Sequence, residues 1–286
     1  MVTLRLLVAE GNAAGDRQRI ADSTGETPGE SYAKVLRALA PDVEVDIFAP
    51  ADEDAALTAP LEAYDGLAIT GSALNLYKRE AASLRQVDFV RRAFELAVPT
   101  FGSCWGLQLA AVAAGGEVGP NPHGREVAFA RRIILTEAGR AHPMHQGRAP
   151  AFDAPAIHGD EVIRLPDAAM VTAWNEMSKA QAAEIRLAGG VFWGVQFHPE
   201  YDLRDIAATV RRYGARLVDE GFFPDMAALE AYAADLQTLA GDPARRDIAW
   251  RLGLGEDVLD PARRRCEIAN WIERLVKPTA SKRGRA

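Results

Sequence analysis

The sequence contains few cysteines and no long apolar run. Cys104 and Cys266 are the only cysteines in 286 residues, which is too few for a framework of disulfides. No stretch of about 18 apolar residues occurs, so a transmembrane helix is not predicted. The apolar start, residues 2–9, has no clear charged region or longer apolar segment before a cleavage site. It therefore predicts a buried strand rather than an export signal. Together these features predict a cytoplasmic location.

The chain also has no excess of positive charge. The chain has 33 Lys and Arg residues against 40 Asp and Glu residues, which gives a net charge of −7. A mildly acidic surface disfavours a general nucleic-acid-binding function, because such binding needs a large basic face. The hydrophobic content of 48% is typical of a folded protein, and a chain of this length can bury its own core.

Motifs for cofactors and metals are not evident. No G-x-x-x-x-G-K-[ST] P-loop is present, and residues 11–15 lack the G-x-G-x-x-G spacing of a dinucleotide site. His142 and His145 have H-x-x-H spacing, but no third ligand is evident and Pro143 disfavours a helix. We expect a surface loop there. The sequence therefore predicts neither a cofactor nor a metal ion.

Short apolar runs alternate with helical patterns in the first part of the chain. This alternation is typical of a parallel α/β sheet. A polar, glycine-containing loop is expected at residues 11–29. The predicted strands are residues 2–9, 43–48, 64–70 and 98–101, and the predicted helices are residues 32–39, a segment from Ser83 to before Pro99, and residues 107–114.

The pattern changes after residue 117. Strand-like runs separated by turns follow one another there, which predicts antiparallel strands added to the parallel sheet. These runs are residues 127–135, 162–165, 169–174, 182–187 and 191–197. Asp202 can cap a helix that continues to about Glu220.

The last part of the chain has helical periodicity without strands. Residues 221–277 predict two or three helices, and fewer than about 60 residues rarely form a stable core alone. We expect a main domain at residues 1–220, with residues 221–277 as a helical extension packed on it or on a second subunit. The polar, basic residues 278–286 predict a disordered tail.

The stretch Gly102-Ser-Cys-Trp-Gly106 lies between a predicted strand and a predicted helix. It is the thiol counterpart of the G-x-S-x-G nucleophile elbow, in the context that this motif requires. The glycines permit a sharp turn, and the helix N-terminus favours negative charge on the side chain that the turn presents. Cys104 is therefore the candidate nucleophile, against the alternative of an inert buried thiol.

A candidate proton shuttle follows the last predicted strand. His198 lies at the strand end, and Glu200 stands two residues on, where alternation places it on the same face. Glu200 could orient the imidazole while His198 faces Cys104, which is the arrangement of nucleophile, base and orienting group. The sequence predicts a Cys104–His198–Glu200 triad.

Four segments resemble those of class I, triad-type glutamine amidotransferases. The family's C-x-G-x-Q motif is similar to Cys104-Trp-Gly-Leu-Gln108, and its late F-H-P-E motif is similar to Phe197-His-Pro-Glu200. Residues 64–72 resemble the strand and turn of the oxyanion hole, and His158-Gly-Asp160 resembles another recurrent element. The similarity covers about residues 2–220 and is nearest to stand-alone members that resemble the glutaminase domain of GMP synthase.

The resemblance implies a flavodoxin-like, mostly parallel sheet flanked by helices, and hydrolysis of the glutamine side-chain amide through a glutamyl thioester. It implies that backbone N–H groups of Trp105 and of Gly71 or Ser72 stabilise the oxyanion. It implies a substrate-binding role for Gln108, with backbone contacts from Gly159 and Asp160. Relatives of the GMP synthase type usually have Gly-Gly-Pro at the oxyanion turn, where this chain has Gly71-Ser72-Ala.

Three functions stay open at this point. A glutaminase would bind glutamine and pass ammonia to a separate synthase subunit or act alone. A γ-glutamyl hydrolase would cleave a γ-glutamyl conjugate and need no partner. A regulatory or binding subunit with weak catalysis is the third, and the serine at position 72 motivates it. The helical extension could also join copies of the chain in a homo-oligomer.

Overall fold

A computed structural model describes residues 3–283 and contains a central sheet of nine strands with helices on both faces. The strands are β1 Arg5–Ala9, β2 Glu44–Phe48, β3 Gly66–Ile69, β4 Thr100–Ser103, β5 Glu117–Pro120, β6 Phe129–Leu135, β7 Ala151–Pro155, β8 Asp160–Arg164, β9 Ala169–Trp174, β10 Ala182–Leu187 and β11 Gly190–Val195.

The sheet has a parallel half and an antiparallel half. Its order is β2-β1-β3-β4-β11-β10-β9-β6-β7, and β5 pairs with β8 in a separate two-stranded sheet. The first five strands in this order are parallel neighbours, and the rest are antiparallel. The parallel half has the order of flavodoxin-like folds. The predicted fold class is confirmed, including the antiparallel additions.

The helices cover both faces of the sheet and continue to the end of the described chain. They are α1 Ala14–Thr24, α2 Pro28–Leu39, α3 Ala81–Glu95, α4 Trp105–Ala113, α5 Glu137–Ala141, α6 Leu203–Asp219, α7 Met226–Gly241, α8 Arg246–Leu252, α9 Glu256–Leu259, α10 Pro261–Arg264, α11 Cys266–Trp271 and α12 Lys277–Lys282, with a π-helical turn at Ile272–Val276. Asp202 caps α6, as the sequence predicts: its carboxylate accepts hydrogen bonds from the backbone N–H groups of Arg204 and Asp205. In the part of the chain that the structure describes, no helix is long and apolar enough to cross a membrane.

Alternate residues of β1 face two different cores. Leu6 and Val8 pack with α2 and with the last helices, whereas Leu7 and Ala9 pack on the opposite face, with α3 and α4. A strand buried on both faces reads as a continuous apolar run, which is why β1 could be predicted from its sequence.

The loop predicted at residues 11–29 is wrong in part, because α1 occupies most of it. This helix has no buried residue, so its sequence carries no apolar stripe at helical spacing. The helix α2 also begins at Pro28, four residues before the predicted start, with Thr27 and Glu30 forming a capping box.

The C-terminal helices are part of the central core and not only an external layer. Trp271 is fully buried beside Leu6 and Phe101, and a Cβ on Gly66 would lie 2.8 Å from its Cζ2. Residues 221–277, where two or three helices were predicted, contain the five helices α7 to α11 and the π-helical turn, and α12 begins at Lys277. The predicted disordered tail is wrong for residues 278–282, which are helical, and residues 284–286 lie outside the described range.

Candidate active site

The parallel strands end at one edge of the sheet and deliver the candidate residues there. Asn12 follows β1, Gly71 follows β3, Cys104 follows β4 and His198 follows β11. In open α/β sheets, ligands bind outside the carboxyl ends of the strands. Residues far apart in the sequence therefore meet at the position where such folds bind small molecules.

Cys104 stands at a strained turn between β4 and α4. Its backbone φ of 50° and ψ of −97° are unusual for a residue with a side chain, and its N–H donates to the Val195 carbonyl at 2.7 Å. A Cβ on Gly102 would lie 2.7 Å from the Gly106 Cα. A Cβ on Gly106 would lie 3.1 Å from the Ile69 Cβ. Close approach thus excludes a side chain at Gly102 and leaves little room for one at Gly106.

His198 and Glu200 form a buried pair beside this turn. The His198 Nδ1 lies 2.7 Å from the Glu200 Oε1, and both side chains are 3% exposed. The other carboxylate oxygen accepts a hydrogen bond from the Ser103 hydroxyl at 2.9 Å. The Tyr201 ring stacks on the imidazole, with 4.1 Å between centroids. These contacts fix the imidazole on both its edge and its face.

The electrostatic environment favours a protonated His198. Burial lowers the pKa of this imidazole, but the negative charge of Glu200 and hydrogen bonds with Cys104 and Glu200 have the larger combined effect. They raise the pKa of His198 to about 10. An imidazolium beside a thiol and a leaving group is suited to donate a proton.

The predicted oxyanion turn lies against the imidazole. A Cβ on Gly71 would lie 2.6 Å from the His198 Cε1, so a side chain there would displace the ring. Ser72 does not have a positive φ, so the backbone at this position suits an ordinary residue. Trp105 is the first residue of α4, where a backbone N–H has no acceptor within its own helix.

Asn12 holds the predicted oxyanion turn in place and is not among the residues predicted from the sequence. Its Nδ2 donates to the Gly71 carbonyl at 3.1 Å, and its Oδ1 accepts from the Ala73 N–H at 3.0 Å. Buried Glu10 accepts from the same Nδ2 at 3.0 Å. A polar pair directly after the buried first strand was the available signal.

Gln108 and Asp160, two of the residues predicted to bind substrate, lie next to each other. The Gln108 Nε2 donates to the Asp160 carbonyl at 3.1 Å and to the Gln196 Oε1 at 3.3 Å. The Gln196 Nε2 lies 3.4 Å from the Cys104 Sγ. Gln196 was not predicted, although it stands two residues before His198 at the end of the predicted strand, where alternation would place both on one face.

The segment after residue 157 is held from both sides. The Asn75 Nδ2 donates to the Asp160 carboxylate at 2.6 Å. The ring nitrogens of His158 face the Asp160 carbonyl at 3.0 Å and buried Glu126 at 2.8 Å. The Gly159 carbonyl accepts a hydrogen bond from the Asn121 N–H at 2.9 Å. Asp160 therefore presents its carboxylate from a rigid backbone.

Two cavities meet at Cys104. The Gln108 lobe has a volume of about 280 Å³. Its lining includes Gln108, His158, Gly159, Asp160, Lys78, Arg125 and Arg216. The Arg212 lobe has a volume of about 200 Å³. Its lining includes His198, Gly71, Tyr201, Ile20, Asp16, Arg19 and Arg212. Cys104 and Ser72 line both lobes, so a substrate could extend to either side of the thiol.

The histidine pair at residues 142–145 is not in a surface loop, contrary to the sequence-based expectation. His142 Nε2 lies 3.1 Å from Glu184 Oε2, and His145 Nδ1 lies 3.2 Å from Glu267 Oε1, with all four residues buried. Buried carboxylates need such partners, which a local sequence pattern does not reveal. Within residues 3–283, no group of three or more His, Cys, Asp or Glu side chains is placed to hold a metal ion.

Comparison with known proteins adds to this geometry. The family described as glutamine amidotransferase class-I matches residues 29–212, more than half of the chain. A γ-glutamyl-L-1-hydroxyisopropylamide hydrolase of a Pseudomonas species is 37% identical over 99% of this chain and 97% of its own.

Two further proteins are similar to this chain, one over part of its length and one over nearly all of it. The GMP synthase of Nitrosomonas eutropha is 35% identical over 47% of this chain, which corresponds to 25% of the synthase. The crystal structure of a glutamine amidotransferase from Thermotoga maritima has a TM-score of 0.66 and 17% identity, and it covers 97% of this chain and 100% of that one. At this low identity, the similarity to the Thermotoga maritima structure shows only that the two folds are alike.

Proposed function

Because this chain belongs to the class I glutamine amidotransferase family, we propose that it hydrolyses a γ-glutamyl amide through Cys104. The observation that carries the proposal is the buried His198–Glu200 pair beside the strained cysteine turn, where two cavities meet. A nucleophile, a base and an orienting group in one buried constellation are typical of covalent amide hydrolysis.

The proposed reaction has two steps. The Cys104 sulfur forms a bond to the γ-carbonyl carbon, the carbon–nitrogen bond breaks, and His198 gives its proton to the departing amine. Water then attacks the glutamyl thioester: its hydroxyl group joins the carbon, the carbon–sulfur bond breaks, and the proton of the water passes through His198 to the departing sulfur, which restores the thiol. The products are glutamate and the free amine.

Backbone donors on two sides of Cys104 would stabilise the tetrahedral intermediate. We assign these to the N–H groups of Trp105 and Ser72, with Gly71 as the alternative in the same turn. Removing one such donor can cost about 3 kcal/mol of transition-state stabilisation. Asn12 would act as a positioning residue, because it bonds to the backbone on both sides of Ser72.

The Gln108 lobe suits the glutamyl part of the substrate. It has groups of both signs, as a zwitterionic amino acid requires: the Asp160 carboxylate and the cations Lys78, Arg125 and Arg216. We assign the glutamyl α-ammonium group to Asp160, and Gln108 and the Gly159 backbone to the same subsite. The Arg212 lobe, on the other side of the thiol, would then hold the leaving amine.

An N-substituted γ-glutamyl amide is the substrate we favour over glutamine. The relative that matches the whole chain is named for hydrolysis of such an amide, whereas the glutamine-hydrolysing synthase matches only part of it. The second candidate is a glutaminase that supplies ammonia to a separate synthase. The synthase match favours it. The two unpaired cysteines fit our proposal of a reducing, cytoplasmic setting.

Glutamate release by the purified chain tests the proposal. Wild-type protein is expected to release glutamate from γ-glutamyl-L-1-hydroxyisopropylamide with higher kcat/KM than from glutamine, and Cys104→Ala is expected to reduce both rates at least about 1,000-fold. Cys266→Ala is the matched control, because its thiol lies outside both lobes. Equal rates in wild type and Cys104→Ala would refute the mechanism, and a preference for glutamine would favour the glutaminase.

A further inference from the structure

The Arg212 lobe contains one cation that lacks an acidic partner. Arg212 extends from α6, and its guanidinium donates to the Thr209 hydroxyl at 3.1 Å. Across residues 3–283 it forms no ion pair with a carboxylate. Arg19 lines the same lobe but is paired with Asp16, so its charge is already compensated.

Three arginines near the two lobes show the contrast, whereas Lys78 of the Gln108 lobe, like Arg212, forms no ion pair within residues 3–283. Arg125 and Arg216 line the Gln108 lobe, and both bond to Glu220, at 2.9 Å and 2.8 Å. Arg211, the neighbour of Arg212 on α6, pairs with Glu230 outside both lobes. Arg212 therefore keeps donors available for an acceptor that the chain does not supply.

The position of Arg212 links it to the leaving amine. It lines the same cavity as Cys104 and His198, and its guanidinium carbon lies 5.9 Å from the Tyr213 ring centroid. Tyr201, which stacks on the imidazole, lines this cavity as well. An amine leaving Cys104 on the His198 side would thus carry its substituents toward Arg212.

We propose that the Arg212 lobe selects γ-glutamyl amides whose amine bears a carboxylate, which makes γ-glutamyl amino acids the preferred substrates. This inference rests on the proposed function and names its substrate class. A guanidinium binds a carboxylate through charge-assisted hydrogen bonds, which are about twice as strong as neutral ones. The Asp16–Arg19 pair adds no net charge, and the charge of the His198 imidazolium is balanced by Glu200, so Arg212 is the uncompensated cation that lines this lobe.

Two ligands that differ in one group test this selectivity. γ-Glutamyl-L-alanine has a carboxylate where γ-glutamyl-L-1-hydroxyisopropylamide has a hydroxymethyl group, and the two are otherwise alike. Their dissociation constants are measured by calorimetry on the Cys104→Ala protein, which removes the nucleophile. We expect the alanine compound to bind about tenfold more tightly.

Variants on α6 identify the residue responsible. Arg212→Gln, added to Cys104→Ala, is expected to remove the tenfold preference. Arg211→Gln is the matched control, because it removes an arginine on the same helix but outside both lobes, and the preference should persist. Equal affinities in the parent, a preference retained in Arg212→Gln, or failure of both ligands to bind would each overturn the inference.

Turnover separates this inference from the proposed function. If wild-type protein hydrolyses both amides but the binding preference is absent, the lobe assignment is wrong and the γ-glutamyl hydrolase activity stands. If the preference is present but neither amide is cleaved, the selectivity stands and the proposed hydrolysis fails.

Discussion

Glu200 is the residue on which the protonation of the site depends. Its carboxylate lies 2.7 Å from the His198 ring, out of contact with water, where charges interact strongly. Burial alone would lower the pKa of His198, but Glu200 and the bond with Cys104 raise it to about 10. The imidazolium form is therefore expected to persist well above neutral pH.

A pH profile tests this prediction. The imidazolium is present below its pKa and is lost as pH rises through it, so kcat/KM should decline only near pH 10. Glu200→Gln should move this alkaline decline to lower pH and reduce kcat/KM, because the neutral amide no longer stabilises the cation.

Asp205→Asn provides the control, since Asp205 is a nearby partly buried carboxylate that does not touch the imidazole. Burial raises the pKa of Asp205 to about 6. Its substitution should leave the alkaline decline in place. A decline near pH 7 in wild type, or no movement in Glu200→Gln, would contradict the proposed proton donor.

At the scale of elements, one carboxylate joins the helix α11 to the body of the protein. Glu267 is fully buried, and Arg148 donates to it through Nε at 2.9 Å. His145 contacts the same oxygen at 3.2 Å. Burial raises the pKa of Glu267, but Arg148 and His145 lower it by more, to about 2.

Removing this carboxylate should destabilise the whole chain. Glu267→Ala leaves Arg148 buried without its partner, and we expect the free energy of unfolding to fall by about 3 kcal/mol in urea titrations. Glu273→Ala, at an exposed position of the π-helical turn that follows, is the control and should change little.

The sign of the pH effect follows from the lowered pKa. The stabilisation by Glu267 is present above about pH 4.5 and is lost as pH falls toward 2. Equal stability of Glu267→Ala and wild type at pH 7 would show that the buried pair does not anchor α11.

At the scale of the molecule, the C-terminal helices and the parallel sheet share one core. Trp271 lies 6.1 Å from Phe101, centroid to centroid, and packs over Gly66. Residues 221–277, predicted as a helical extension packed on the main domain, therefore contribute Trp271 to the core of residues 1–220. We therefore expect the two parts to unfold as one unit.

The unfolding of two tryptophan variants tests this expectation. Trp271→Ala should lower the free energy of unfolding by about 4 kcal/mol and shift a single thermal transition. Trp250→Ala should have little effect, because Trp250 is 73% exposed on α8. Two separate transitions, with only one moved by Trp271→Ala, would contradict a shared core.

Much of the sheet and the candidate triad were predicted from local patterns, whereas the other candidate site residues were predicted from the resemblance to a family. The strands at residues 169–174 and 182–187 were predicted at their observed bounds. The helix α1 was missed because it buries no residue. Three residues near the site were missed: Asn12, Gln196 and Arg212. Each contacts, or lines a cavity with, residues that are distant in the sequence.

The sequence by itself determined the strand–turn–helix around Cys104 and the spacing of His198 and Glu200, because turn geometry and strand alternation depend on neighbouring residues alone. Only the tertiary structure decided that Gly71 must make room for an imidazole 127 positions later in the chain. It also decided that Trp271 completes the core of the first strands. Such contacts depend on how the strands are ordered in the sheet, and that order is fixed by the packing of the whole chain.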